Sequence, residues 1–449
     1  MDLLTLLRVF QIIRELRKHE RWTRPQLMAY QKQALQQLRE YAYAHSAFYQ
    51  RFHHGLFDHP LQDLPVLTKS TMMENFDEIV TDRSLNLKSV RAFSRQKEDR
   101  LYLDQYRVTA TSGSSGQPGY FLFNPQEWSM IVASFARGQE WAGLKVSMLH
   151  RRKMATVAST SPWHMSSQVA RTAKSWWTPS IRLPSTDSLE RIVQELNHWQ
   201  PNILIAYASM ARILADEQLV GHLHIQPQST FTSSEVLTQE TQRLIKSAWG
   251  DEPFNQYGAT ETADIAAEYK ACRHMHLFED LVIAETVDEN YQPVPSGIYG
   301  AKLLVTSLFS RTQPLIRYEL NDSVRLSTET CTSGLPFAIL DGIQGRAEAT
   351  LYLPAKSGER VAIQPLVFNR IMDTLPVSGW QVIQNADDTL TVLLSGAHTN
   401  VNDFELEKTF RQALIDQGAQ VPFIEVQRVS TIPKSISGKA PLVKAYHSK

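Results

Sequence analysis

The apolar positions change period several times along the chain, and those changes divide it. Leu3, Leu6, Leu7, Phe10, Ile13 and Leu16 recur at helical spacing, with Asp2, Arg8 and Arg14 between them, which predicts an amphipathic helix. The stretch is too short and too interrupted to span a bilayer, and no small-residue cleavage site follows. Its apolar face is expected to pack on the main domain or on a partner subunit, as in a homodimer. The Thr23-Arg24-Pro25 start opens a further helix over 24 to 50, and "LPVLTKS" (64 to 70) reads as an extended segment before another helix. From about 100 to 260 apolar β-branched runs alternate with helical patterns. "MATVAST" (154 to 160) and "NILIAYAS" (202 to 209) read as strands, "SLERIVQELNHW" (188 to 199) and "TQETQRLIKSAWG" (238 to 250) as helices. Such alternation predicts a mostly parallel sheet covered on both faces.

After about 280 the texture changes. "LVIAETV", "AKLLVTSLF" and "DSVRLS" read as short strands separated by turn signals such as "PVPSG" (293 to 297), which predicts a small β-rich subdomain. Beyond "DGIQGRAEA" (341 to 349) the strands "WQVIQ", "LTVLLS" and "FIEVQRV" flank a helix over "DFELEKTFRQALIDQG". The fold class is therefore α/β. A large N-terminal domain (1–345) has mostly parallel sheets and a small β subdomain, and a small α+β C-terminal domain (346–449) follows.

Charge narrows the function. Lys plus Arg and Asp plus Glu number 46 each, so nothing in the overall balance favours nucleic acid or an anionic membrane. Two cysteines, Cys272 and Cys331, exclude a disulfide framework and fit a reducing, cytoplasmic setting.

The candidate chemistry begins at "TATSGSSGQPGYF" (109 to 121). Gly113, Gly116 and Gly119 free the backbone, while Thr111, Ser112, Ser114 and Ser115 supply hydroxyls. Such a turn can hold an anion or be a loose connection, and without a following Gly-Lys pair it is not the common nucleotide loop. Three later stretches bear on that choice. "FNQYGATETADIA" (254 to 266) carries Tyr257, able to stack on a purine, and Glu261, able to hold Mg²⁺ against phosphate. "PLIRYELNDSVRL" (314 to 326) places Asp322 in a turn, where it could accept from ribose hydroxyls, and "IPKSISGKAP" (432 to 441) presents Lys439 on a glycine turn.

In this order and spacing the motifs resemble the adenylate-forming superfamily of acyl-CoA synthetases, adenylation domains and luciferases, and most of all its phenylacetate–CoA ligase-like branch. "TSGSSGQPG" is similar to the phosphate loop, "YGATE" to the adenine and Mg²⁺ motif, "GRAEA" to the start of the inter-domain hinge, and "PKSISGK" to the catalytic-lysine motif. The resemblance implies ATP-dependent conversion of a carboxylic acid to an acyl-adenylate, rotation of a mobile C-terminal domain, and transfer of the acyl group to CoA. An amine or hydroxyl acceptor in natural-product or capsule biosynthesis is the alternative, and a lapsed nucleotide-binding relative a further one. It implies that Thr111 to Gly116 cradle phosphates, that Ser233, Ser234 and Glu235 line the adenine site with Tyr257 and Gly258, and that Thr260 sits near the α-phosphate. Glu261 would carry Mg²⁺, Asp322 the ribose and Lys439 the adenylation step. Arg346 would open the hinge and touch the ribose. Two departures stand out: Gln117 replaces the lysine that often follows the loop, and Glu348 is the nearest acidic hinge residue.

Cys272, His274, His276 and Cys331 form a set of soft ligands suited to structural Zn²⁺, although Ser333 stands where some relatives carry a further cysteine. Trp163 and His164, with Met165, follow a strand where this fold lines its acyl pocket, and would enclose an apolar or aromatic acid. Trp128, Phe135 and Trp141 read as core; "KSWWTPS" (174 to 180) suggests no role.

Overall fold

The computed structural model describes residues 3–96, 100–111, 118–144, 151–159, 161–173, 178–346, 349–355, 358–363, 365–372, 375, 377, 379–399, 401–420, 423–435 and 439–446. Helix α1 (Leu3–His19) buries Val9, Ile13 and Leu16 against the main body and leaves Leu4 and Leu7 exposed. Its last turn is tied down by Arg17, whose Nε donates to Glu140 at 2.9 Å. Helix α2 (Arg24–His45) starts with Pro25 in its first turn, where a missing N–H costs nothing. The helix expected over 24 to 50 breaks at Ser46. Its Oγ accepts from the Tyr49 amide (3.4 Å) and donates to the Glu78 carbonyl (2.8 Å), so a new helix starts at Ala47. Helix α3 (Pro125–Trp141) buries Trp128 and Trp141, as their spacing implied, and α1 packs along it.

A nine-stranded sheet forms the centre of the molecule. Strands β1 (Met154–Ala158), β2 (Ser180–Pro184), β3 (Ile203–Tyr207), β4 (Ser229–Ser233) and β5 (Phe254–Ala259) lie in the order β2-β1-β3-β4-β5, all parallel. Their crossovers are helices: α4 (Met165–Ala173), α5 (Leu189–Trp199), α6 (Ala208–Leu219) and α7 (Gln239–Trp249). Gly250, at φ 86°, ends α7 in the left-handed conformation that glycine adopts without cost. Ala155, Val157, Leu204 and Ala206 pack with Leu196 and Leu214 in one apolar layer, which is why these strands read as continuous apolar runs.

A tight turn at 260–262 then reverses the chain. Strands β6 (Ala263–Glu268), β7 (Met275–Leu277), β8 (Asp322–Leu326) and β9 (Ile339–Arg346) continue the sheet antiparallel, in the order β5-β6-β7-β9-β8. "DSVRLS", expected in the small β subdomain, is thus the edge of the large sheet. Its ladder runs to β9, from Asp322 opposite Arg346 to Leu326 opposite Leu340. The separate small sheet consists of Val282–Val287, Lys302–Ser307 and Tyr318–Leu320.

The C-terminal part has its own four-stranded sheet of Gly379–Gln384, Leu390–Ser395, Ile424–Val429 and Val443–Lys444, with helices α8 (Pro365–Met372) and α9 (Asp403–Asp416). Phe368, Val382, Val392 and Phe410 are fully buried there. Each contributes roughly 1.5–3 kcal/mol by burial, so this lobe has a core independent of the large sheet. Among the described residues no helix is long and apolar enough to cross a membrane.

Candidate active site

Tyr207, Ser233 and Ala259 end β3, β4 and β5, and all three open onto one cleft of about 2350 Å³ between the large sheet and the C-terminal lobe. Ligands in open α/β sheets bind at such carboxyl strand ends. Thr111, His164, Ser233, Ser234 and Glu235 line this cleft, as do Tyr257, Gly258, Thr260, Glu261, Asp322 and Lys439. Residues distant in sequence are therefore brought to one place. Ser112 to Gly116, the body of the glycine-serine loop, lie outside the described residues. The stem of that loop is fixed: Thr111 Oγ1 accepts from the Gly119 amide at 2.8 Å, and the strands Arg107–Ala110 and Tyr120–Phe123 pair antiparallel beneath it.

One wall is built into the sheet. Tyr257 donates its hydroxyl proton to Asp322 at 2.8 Å. Asp322 does not sit in a turn, as expected, but opens β8, because the ladder to β9 starts there. Gly258 is a glycine of necessity, since a Cβ there would lie 2.7 Å from the Ala263 carbonyl oxygen. Ser234 (φ 67°) and Ala263 (φ 69°) hold left-handed backbone on the cleft. Such strain in non-glycine residues gathers where a site over-determines the backbone. Glu261, 8% exposed, stands in the turn between β5 and β6 with its carboxylate on the cleft, a donor set compatible with Mg²⁺.

The opposite wall comes from the chain's C-terminal segment. Lys439 Nζ lies 5.6 Å from the centre of the Tyr207 ring. Glu235 joins the two walls: one oxygen accepts from the Ser209 amide in the first turn of α6 (2.8 Å), the other from the Ala440 amide (3.0 Å). Burial raises the Glu235 carboxyl, and these amides and Lys439 offset part of that. Lys434 Nζ donates to the Ser185 carbonyl at 2.6 Å; burial lowers its pKa, against the pull of Glu235. His164 is pushed down to about 4 by burial, then by Lys439 and Arg182, so it is a neutral imidazole at neutral pH.

Away from these walls, Cys272, His276 and Cys331 bring one ligand atom each within 4.8 Å of one another. His276 Nδ1 donates to the Phe337 carbonyl at 3.1 Å, which leaves Nε2 as an acceptor facing Cys272 Sγ at 3.4 Å. Burial keeps that imidazole neutral. Burial also raises both thiols, but hydrogen bonds from Ser333 and contacts with Cys272 and His274 bring Cys331 down to about 7. A neutral imidazole beside an acidified thiol suits Zn²⁺. His274 is not in that group of three, although it reaches Cys331 and lines the cleft.

Other expectations fare differently. Trp163 packs edge-on against Phe93, 5.4 Å between ring centres, and is absent from the residues lining the cleft; its carbonyl accepts from the Ala110 amide. Arg346 ends β9 opposite Asp322; its side chain lies outside the described residues. Arg317, in the same "PLIRYELNDSVRL" stretch as Asp322 and open in sequence to a role in the fold or at the nucleotide, is held by Glu285 (3.3 Å) and the Gln62 and Leu64 carbonyls. The sequence reading missed Tyr207, Lys434, Gln256 and Asp264, all on the cleft. For Asp264 a signal existed: a carboxylate inside the apolar run "ADIAA".

With this geometry in place, comparisons give the class. Residues 356–446 match the family model of the CapK C-terminal domain. The chain is 25% identical over 279 residues to Protein CapK of Staphylococcus aureus, a match spanning 60% of this chain and 55% of that protein. Its fold is that of an adenylate-forming acyl-CoA ligase. The 2-hydroxyisobutyryl-CoA ligase in its postadenylation state, bound to R3-HIB-AMP, superposes with a TM-score of 0.73 at 18% identity, covering 96% of this chain and 92% of that one. The open form of the same ligase with 2-HIB-AMP and CoA gives 0.62 at 18% identity, covering 96% and 93%.

Proposed function

We propose that this chain activates a carboxylic acid as its acyl-adenylate and then passes the acyl group to CoA. The carboxylate oxygen attacks the α-phosphorus of ATP, the bond to the bridging oxygen breaks, and pyrophosphate leaves. The acceptor thiol then displaces AMP. The observation that carries this reading is the meeting of Lys439 with the Tyr257–Asp322 wall across one cleft, tied by Glu235.

Each group has a part. Negative charge builds on phosphate oxygens in the first step, and Lys439 supplies a fixed cation on the facing wall. Asp322, oriented by the Tyr257 hydroxyl, would accept from a ribose hydroxyl. Thr111 and the Ser112–Gly116 loop hold the outer phosphates. Mg²⁺ held by Glu261 would neutralise phosphate charge. Neutral His164 adds a polar edge without a competing positive charge. Zn²⁺ at Cys272, His276 and Cys331 would be structural, pinning the 272–276 turn to the segment before β9. The higher TM-score with the postadenylation form than with the open form supports a lobe arrangement that brings Lys439 to the site. Rotation about the segment at residues 345 and 346 would carry the C-terminal lobe, 346–449, away for the second step.

The test is pyrophosphate release from ATP and Mg²⁺ over a panel of acids, without CoA. Release with one class of acid establishes adenylation, and adding CoA or an amine then identifies the acceptor. Failure of every acid to release pyrophosphate while ATP binds would refute the reading.

A further inference from the structure

Two buried polar side chains on the cleft have no use in the scheme above. Asp264, 3% exposed, has an Oδ2 with no hydrogen-bond partner among the described residues, and so has the Nε2 of Gln256, 8% exposed. Both line the cleft. Buried polar atoms in folded proteins are almost always satisfied, so two orphans on one cavity wall need an explanation.

The sheet places them together. Gly258 is the ladder partner of Asp264, and Gln256 stands two residues earlier on β5. A Cβ at Gly258 would come within 3.0 Å of Asp264 Oδ1, and one at Gly138 of α3 within 2.4 Å of Gln256 Nε2. Two glycines thus make room for two side chains, each with one polar atom that no described residue answers. Burial pushes the Asp264 carboxyl well above its ordinary 3.8, with no cation to oppose it. Its orphaned Oδ2 can accept a hydrogen bond, and the Gln256 amide can donate one.

We propose that the acid activated here carries a hydroxyl or carboxamide on its acyl portion, and that this group lodges between Asp264 and Gln256. The inference rests on the adenylation reading and names its substrate class. A hydroxyl or carboxamide has both a donor and an acceptor, so it satisfies the acid and the amide N–H together. An ammonium group has donors only and leaves Gln256 Nε2 unmatched. An apolar chain leaves both unmatched, so this proposal departs from the apolar or aromatic acid expected around Trp163 and His164.

The experiment compares acids matched in length and branching, bearing a methyl, hydroxyl, carboxamide or ammonium group, on the full chain. Two readouts are taken: pyrophosphate release with ATP and Mg²⁺, and thermal shift with the acid alone. The hydroxyl or carboxamide acid is expected to exceed the methyl isostere by about 100-fold or more in kcat/KM, since a site built for a hydrogen-bonding group rejects analogues lacking it. Asp264→Asn, which still accepts, retains most of that preference, and Asp264→Leu loses it; a melting scan on each variant checks folding. Equal use of the methyl acid, preference for the ammonium acid, or absence of selectivity in both readouts overturns the proposal. A selective thermal shift without pyrophosphate release keeps the substrate class and overturns the adenylation reading instead.

Discussion

Asp264 and Asp280 are both buried aspartates, and their surroundings are opposite. Asp280 receives Arg137 of α3 at 2.9 and 2.6 Å and His19 of α1 at 2.8 Å. Burial alone would raise its carboxyl; Arg137 and His19 outweigh that and hold it at about 2. Asp264 has only burial acting on it, and rises. Both oxygens of Asp280 are therefore answered within the chain, although Arg137 Nε has no hydrogen-bond partner among the described residues, whereas Asp264 Oδ2 has none at all among them. A buried charge paired in this way is weak evidence of net stabilisation, but removing one partner is costly. An unanswered buried carboxyl lowers stability in the free protein and belongs where binding offsets it.

The sharpest way to break this contrast is Asp280→Ala. It leaves the Arg137 guanidinium buried without its carboxylate, and a loss of about 3–5 kcal/mol in urea unfolding is expected. Asp264→Asn should be close to neutral or stabilising in the same measurement. Comparable losses at both sites would erase the distinction. The Asp280 contribution is complete above its ordinary 3.8 and is lost as pH falls toward 2, so acid titration of the wild type should show a drop there that Asp280→Asn lacks.

Lys439→Ala comes next. The lysine belongs to the cleft side of the comparison, so its loss should leave the unfolding midpoint nearly unchanged. Adenylate formation is expected to fall by about 10²–10³-fold, the range for removing one group that stabilises transition-state charge. Acyl transfer from supplied acyl-adenylate should change only a few-fold. Equal loss in both half-reactions would show that the lysine serves binding in general.

A smaller effect separates the two regions by pH. Burial raises Glu268 from its ordinary 4.5 to about 7, against the pull of Arg273. A raised carboxyl contributes stability present below 4.5 and lost as pH rises through about 7, and Glu268→Gln should flatten that fall. Across this window Asp280 is ionised in both folded and unfolded chains and contributes no slope. Urea midpoints at about pH 5 and about pH 8 decide it; a wild-type protein more stable at the higher pH would contradict the assignment.

The parallel half of the fold was legible because its strands and helices carry complete local signals: apolar runs, capping residues, and Gly250 as a stop. The candidate site was legible as an ordered set of motifs, of which Lys439, Tyr257 and Asp322 line one cleft. What could not be read was pairing between distant segments. "DSVRLS" has the same strand pattern whichever sheet it joins, and only its ladder with Ile339–Arg346 puts Asp322 opposite Arg346. Trp163 and His164 are neighbours in sequence, yet one faces Phe93 and the other the cleft. Asp264 looked like one charge in an apolar strand. That its Oδ2 has no partner among the described residues is a statement about everything around it, and no local pattern contains that.

The least dramatic change tests the built-in wall most cleanly. Tyr257→Phe removes one hydroxyl and keeps the ring, so any purine stacking persists while the 2.8 Å bond to Asp322 disappears. Asp322 lies at the start of a strand held by its own ladder, so the backbone stays in place. What is lost is the orientation of the carboxylate, a hydrogen bond to a charged group worth about 1.5–3 kcal/mol at most and less where the carboxylate can rotate to another donor. The expected result is a rise of about 5–20-fold in the KM for ATP, with kcat changed less than two- to three-fold. A fall in kcat at constant KM would place Tyr257 and Asp322 in transition-state stabilisation, on the same footing as Lys439. Then the cleft would have two catalytic walls instead of one that binds and one that reacts.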